Sequence, residues 1–182
     1  MIPQPQPPEP PKRPYTLWSA LLGLFLCCGL PGMIAVSLYR GARNIKHDIQ
    51  GPACRRNLEA IAAATAKFSL ANAGRLPGKN WMDDLKPFVE DDGVFTCPLG
   101  GDHGYAMNEK YVGGSMATVP SEVPLFFDST LAGRNAVGPL TTLPLPGRHL
   151  HQGQDATHET WRNNVVFATG GARSTPSRFE EN

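Results

Sequence analysis

Three histidines in the second half of the chain are the residues most suited to metal binding or acid–base chemistry. His149, His151 and His158 lie in one glycine- and proline-rich segment, residues 129–161. Two imidazoles at positions i and i+2 can reach one ion, but a metal site also needs a third ligand on a rigid element and neighbours that orient the ligands. His158-Glu159 does not continue to a second histidine four residues on, which excludes the zinc-protease helix. We therefore predict no metal site, with these three histidines as the candidate ligands if one forms.

Motifs of the common enzyme classes are missing from the sequence. There is no Gly-x-Ser-x-Gly turn, and the serine of residues 113–115 has no suitable base beside it in sequence. The glycine-rich residues 100–104 lack the lysine of a phosphate loop, and residues 90–93 supply only a fragment of a calcium loop. Lys and Arg number 17 and Asp and Glu 16, so no strong field attracts nucleic acid. We predict neither an enzyme nor a cofactor, and no nucleic-acid partner.

The four cysteines divide by location. Cys27 and Cys28 lie within a long apolar stretch, where they are expected to act as small apolar residues, whereas Cys54 and Cys97 lie in the polar remainder. In an oxidising compartment the second pair would close a loop of about forty residues and stabilise the fold by roughly 3–4 kcal/mol. In a reducing compartment they would be two free thiols.

The longest apolar stretch, residues 17–38, is the element expected to organise the chain. It contains no charged residue and is flanked by Lys12 and Arg13 on one side and by Arg40 and Arg43 on the other. A helix over this stretch would be about 33 Å long, enough for a hydrocarbon core of roughly 30 Å. The stretch therefore predicts one transmembrane helix, and a buried core helix is the alternative.

A second helix is predicted over residues 53–73, after a break or fresh start at Gly51-Pro52. Its alanines favour helix, and Gly74 is placed to cap its end. Its apolar face has a helical spacing and consists of Leu58, Ile61, Thr65 and Phe68.

The rest of the chain has the pattern of short elements separated by turns. A short helix is expected at 81–89, and the turn residues Thr169-Gly170-Gly171 predict a terminal hairpin. Strands are expected at 94–98, 104–108, 110–112, 123–128 and 164–168. The predicted fold class is α+β, an N-terminal transmembrane helix continuing to an amphipathic helix packed on a small antiparallel sheet. The predicted organisation is a proline-rich disordered tail (1–16), the transmembrane helix (17–38), a juxtamembrane helix or linker (39–52), the α+β domain (53–173) and a disordered tail (174–182).

The residues before the apolar stretch resemble a degenerate type IV prepilin N-terminus. The basic pair Lys12-Arg13 lies just before Tyr15-Thr16-Leu17. In prepilins, basic residues lie in the same way just before the start of the mature pilin. Pro14 stands where the prepilin peptidase needs glycine, and Ser19 where pilins carry a glutamate that helps assembly. The resemblance therefore implies an uncleaved anchor with reduced or no ability to enter a filament.

The second half is similar to the pseudopilin-type proteins of planctomycetes and verrucomicrobia. Thr169 replaces the aspartate that closes the family pattern, and Gly171 replaces the histidine after it. The segments that carry the similarity, in order, are Cys54 to Leu58, Phe95 to Pro98, Tyr105 to Asn108, Phe126 to Asp128, Arg148-His149 and Asn164 to Gly170.

This resemblance implies a structural function. The expected protein is a membrane-anchored, pilin-like assembly component, of the minor pseudopilin kind, in a type II secretion or type IV pilus system. Its partners would be the membrane and other pilin-like or secretion proteins. The alternative is a single-pass membrane sensor or ligand- or metal-binding module, with a hydrolase as a further rival. The count of basic residues favours a cytoplasmic domain. The resemblance instead implies a bacterial inner-membrane protein with its domain outside, where a Cys54–Cys97 bridge would fit.

Overall fold

The computed structural model describes residues 30–99, 103–152 and 159–175. The chain divides into two compact units, Met1–Arg43 and Asn44–Asn182. The described residues of the first unit, 30–43, all belong to helix α1 (Leu30–Ala71), and the side chains of residues 31–42 are exposed. All the described strands belong to the second unit.

The prediction of a transmembrane helix does not hold for the described residues. None of their helices is both long enough and apolar enough to cross a membrane. Only residues 30–38 of the predicted span are described, and nine helical residues are about 14 Å long before Arg40 and Arg43 follow. The transmembrane part of the predicted fold class and the inner-membrane localisation that depended on it are corrected accordingly. Residues 17–29 lie outside the described residues, as do both predicted tails except for residues 174 and 175.

Helix α1 runs through Gly51-Pro52, where a break was predicted. Proline disfavours a helical residue before it mainly by clashing with that residue's Cβ and N–H, and Gly51 has no Cβ. The predicted face is confirmed, since Leu58, Ile61 and Thr65 are buried. The helix ends as expected near Gly74, which has φ +80° and whose N–H donates to the Ser69 carbonyl over 2.8 Å.

Six strands form a mixed sheet, which corrects the predicted all-antiparallel one. The first strand pairs antiparallel with the second and parallel with the short third one, and the second pairs antiparallel with the fifth. The long fifth strand also pairs antiparallel with the fourth through its first half and with the sixth through its second half. The strands are β1 (Tyr105–Asn108), β2 (Pro124–Asp128), β3 (Val137–Gly138), β4 (His149–Gln152), β5 (Glu159–Phe167) and β6 (Ala172–Thr175).

Both faces of the central strands are buried. One core joins the apolar face of α1 to the sheet, with Trp81 of the short helix α2 (Trp81–Leu85) packed 4.9 Å from Phe126, centroid to centroid. The second core lies on the other face, where Phe127 and Val165 contact the segment around Leu140. The register of these strands therefore decides which side chains face each core, since a slip of one residue would exchange the two sets.

Several of the short elements differ from the prediction. The terminal hairpin is confirmed, with the Gly170 N–H donating to the Phe167 carbonyl over 2.9 Å. Residues 94–95 and 110–111, expected in strands, belong instead to 3-10 turns at Asp92–Phe95 and Glu109–Tyr111. Asp91 and Asn108 accept hydrogen bonds from the backbone N–H two residues on, and such local bonds compete with pairing in a sheet.

Candidate functional site

A disulfide joins α1 to the segment that follows the 3-10 turn at 92–95. The Cys54 and Cys97 sulfurs are 2.09 Å apart and the two residues are 43 positions apart in sequence. Both side chains are buried. The chain-entropy model gives such a cross-link a stabilisation of about 4 kcal/mol. Of the two states that the sequence left open, the structure contains the disulfide.

A buried Asp–His pair lies at the start of β4. Asp128, the last residue of β2, has its Oδ2 atom 2.8 Å from Nε2 of His149. The same oxygen accepts a hydrogen bond from the backbone N–H of Asn164, in β5, over 2.5 Å. An ionised carboxylate can only accept, so Nε2 of His149 carries the proton of this hydrogen bond.

Arg148 supplies the positive charge that the buried carboxylate needs. Its Nη1 atom is 3.6 Å from Oδ1 of Asp128, and its side chain is only 9% exposed. Nη1 also donates to the Gly104 carbonyl, and Nη2 donates to the Ser129 carbonyl. One arginine therefore both compensates the charge of Asp128 and joins the ends of two strands.

The second ring nitrogen of His149 is not used in this pair. Nδ1 is buried and has no hydrogen-bond partner among the described residues. A proton on Nδ1 would therefore be a buried N–H with no acceptor among them.

His149 lies beside the disulfide. Nδ1 or Nε2 of His149 and the two cysteine sulfurs all lie within 4.8 Å of one another. Nε2 is bonded to Asp128, so Nδ1 is the ring nitrogen that has no hydrogen-bond partner among the described residues. A Cβ atom on Gly51 of α1 would stand 3.7 Å from Nδ1, so α1 packs closely on the ring. We call Cys54, Cys97, Asp128, Arg148 and His149 the buried cluster.

Tyr105 adds a neutral hydroxyl next to this cluster. Its hydroxyl donates to the Cys54 carbonyl over 3.1 Å. Burial raises the pKa of Tyr105 well above its ordinary value, and the negative charge of Asp128 raises it further. The phenol therefore remains a hydrogen-bond donor at all moderate pH values.

The buried cluster can hold the domain together but presents no reacting group to a substrate. Both cysteines and His149 are at most 1% exposed. In the oxidised state the sulfurs are bonded to each other, which removes both thiolate nucleophiles. In the reduced state the same three side chains would be two thiols and an imidazole, which are ligands for soft metal ions.

The structure describes the strand positions of two of the three predicted histidines. His149 points to Asp128 and the disulfide, His151 is opposite Thr160 in the β4–β5 pairing, and His158 lies outside the described residues. The prepilin-like residues Pro14, Tyr15 and Ser19 also lie outside them. Sequence reasoning missed the link from Asp128 to Arg148 and His149, although the aspartate and the Arg-His pair were both recognised as separate motifs.

An exposed apolar surface lies on the described part of the first unit. Five large side chains of α1 are each more than half exposed: Met33, Ile34, Val36, Leu38 and Tyr39. Isolated exposed apolar residues are ordinary, whereas five within seven consecutive residues form a candidate interaction surface. We call residues 33–39 the exposed helix segment.

Comparison with known proteins does not add a relative. No family model, no curated protein and no solved structure matches this chain.

Proposed function

We propose that this chain is a pilin-like structural or assembly protein whose exposed helix segment docks against the equivalent helix of neighbouring subunits. The observation that carries the proposal is the exposure of residues 31–42, which include five large apolar side chains. Burial of an apolar side chain such as Ile34 or Leu38 contributes up to roughly 1.5–3 kcal/mol, which favours helix association.

The spacing within the exposed helix segment suits helix packing. Ile34 and Leu38 are four residues apart and therefore lie on one face. Gly41 lies near the same face, seven residues after Ile34, and has open space around it, so a second helix could approach the backbone closely there.

The buried cluster supports a structural role for the second unit. Its charged and sulfur-containing side chains are used inside the domain. Asp128 joins the end of β2 to the start of β4, and the disulfide joins α1 to the segment at Cys97. This is the arrangement expected of a cross-linked, rigid domain that presents its outer loops to other proteins. By its motif order, the assembly would be that of a type II secretion or type IV pilus system.

Self-association of the purified full-length protein tests the proposal. Analytical ultracentrifugation should show reversible association that is weakened at least tenfold by Ile34→Asp combined with Leu38→Asp. Leu70→Asp is the matched control, because Leu70 is on the same helix and 87% exposed but lies outside the exposed helix segment. Equal association of the double variant and the wild type would refute the proposal, as would a wild type that remains monomeric at all concentrations reached.

A further inference from the structure

We propose that reduction of the Cys54–Cys97 disulfide turns the buried cluster into a binding site for one thiophilic metal ion, with Zn²⁺ as the probe. The ligands are the two cysteine sulfurs and Nδ1 of His149. This site goes beyond the proposed assembly function and does not depend on it.

The distances between the candidate ligand residues favour a shared ion. One ring nitrogen of His149 and the two cysteine sulfurs lie within 4.8 Å of one another. A tetrahedral zinc ion with ordinary Zn–S and Zn–N bonds needs ligand atoms about 3.5–3.8 Å apart. The sulfurs must therefore separate from 2.09 Å to that distance, which the loss of the covalent bond requires in any case.

The hydrogen bond to Asp128 prepares His149 for metal binding. Because Asp128 holds the proton on Nε2, the lone pair of Nδ1 is directed to the other side of the ring. A carboxylate that orients a metal-bound histidine in this way is the usual arrangement around zinc. The lack of a hydrogen-bond partner for Nδ1 is explained if the atom is a ligand in the reduced state.

The charges of the proposed site balance. Two thiolates and a neutral imidazole compensate one divalent cation, while Asp128 and Arg148 continue to compensate each other. A buried site of zero net charge avoids the large penalty for an uncompensated ion. Gln50 precedes Cys54 by one helical turn, and its Oε1 atom is also buried without a hydrogen-bond partner among the described residues. The Gln50 oxygen is therefore a candidate for the fourth ligand of the metal ion.

The conversion is a balanced redox step followed by a proton release. Two molecules of a thiol reductant transfer two electrons and two protons to the disulfide, which gives two cysteine thiols and one disulfide of the reductant. Metal binding then displaces one proton from each thiol. Oxidation of the two thiolates by a small-molecule disulfide, which accepts the two electrons and leaves as two thiolates, would reverse the process and release the ion.

Metal uptake by the full-length protein in both redox states tests the proposal. All proteins carry Cys27→Ser and Cys28→Ser, so that only two cysteines remain. After anaerobic reduction, we expect one Zn²⁺ per chain, and with Co²⁺ we expect the thiolate-to-cobalt absorption band. The oxidised protein should bind less than a tenth of an equivalent. Equal uptake by both forms, or no uptake by the reduced form, would overturn the proposal.

Variants of the histidine and its partner identify the ligands. His149→Ala should weaken zinc binding at least 100-fold and Asp128→Asn tenfold to 100-fold, the range known for residues that orient a ligand. His103→Ala is the control, because His103 also has a buried Nδ1 atom but is not in the buried cluster. Unchanged affinity in His149→Ala would exclude His149 as a ligand. If that variant does not fold, nitrogen NMR of the wild-type imidazoles decides, because zinc must shift the Nδ1 resonance of His149.

Discussion

Removal of the charge of Asp128 is the perturbation with the largest expected effect on stability. Asp128→Asn keeps the size of the side chain but removes the negative charge 3.6 Å from Nη1 of Arg148. If the amide oxygen accepts the bonds from His149 and Asn164, the amide N–H groups face the guanidinium, and donor then opposes donor. A buried charge left without its partner is expected to lower the free energy of unfolding by about 3–5 kcal/mol.

The measurement is urea-induced unfolding at pH 7 with the disulfide intact, followed by far-ultraviolet circular dichroism. Asp83→Asn is the matched control, because Asp83 also binds an arginine, Arg134, but in a pair that is half exposed and therefore contributes little. Arg148→Met completes a double-mutant cycle with Asp128→Asn. The double variant should be more stable than the sum of the two single effects predicts, by at least about 1 kcal/mol. An Asp128→Asn variant as stable as Asp83→Asn would refute the account of the buried cluster.

Three further predictions concern single features of the fold. Reduction of the Cys54–Cys97 disulfide should lower the free energy of unfolding by about 4 kcal/mol in urea titrations, and a change below about 1 kcal/mol would mean that the loop is already restricted in the unfolded chain. Because the pKa of Tyr105 is raised in the fold, the stabilisation due to its protonated form is complete below pH ~10. Above that pH the free energy of unfolding should fall by about 1.4 kcal/mol per pH unit. This dependence should disappear in Tyr105→Phe, and an identical dependence in that variant would contradict the role of burial. Gly74→Ala should lower the melting temperature, because a residue with a Cβ in the left-handed conformation costs about 1 kcal/mol. Gly41→Ala, in the interior of α1, is the control and should not lower it. Equal melting temperatures of the two variants would show that the helix end can rearrange.

The elements whose apolar residues recur at a regular spacing were predictable from the sequence. The buried face of α1 follows from apolar residues at helical spacing, and β1, β2 and the end of β5 follow from short apolar runs between turns. Gly51-Pro52 was misjudged because proline was weighed without the glycine before it. The transmembrane prediction counted apolar residues over 17–38, but only residues 30–38 fall within a described helix.

The buried cluster was not predictable, for a physical reason. Asp128 and His149 are 21 positions apart, and they meet because β5 bonds to both of their strands. β4 begins in a segment whose prolines and glycines favour loops, so no local pattern indicated a strand there. Pairing between distant strands is decided by the packed fold, whereas sequence motifs give only the order of the residues.

Site-specific cross-linking in the native host tests the proposed assembly function most directly. A photoreactive amino acid at Leu38 should form adducts with copies of this chain or with other pilin-like subunits, and the same group at Leu70 should form far fewer. Mass spectrometry of the adducts would identify the partner helix. Equal adduct formation from both positions, or none from Leu38, would contradict the claim that the exposed helix segment is the docking surface.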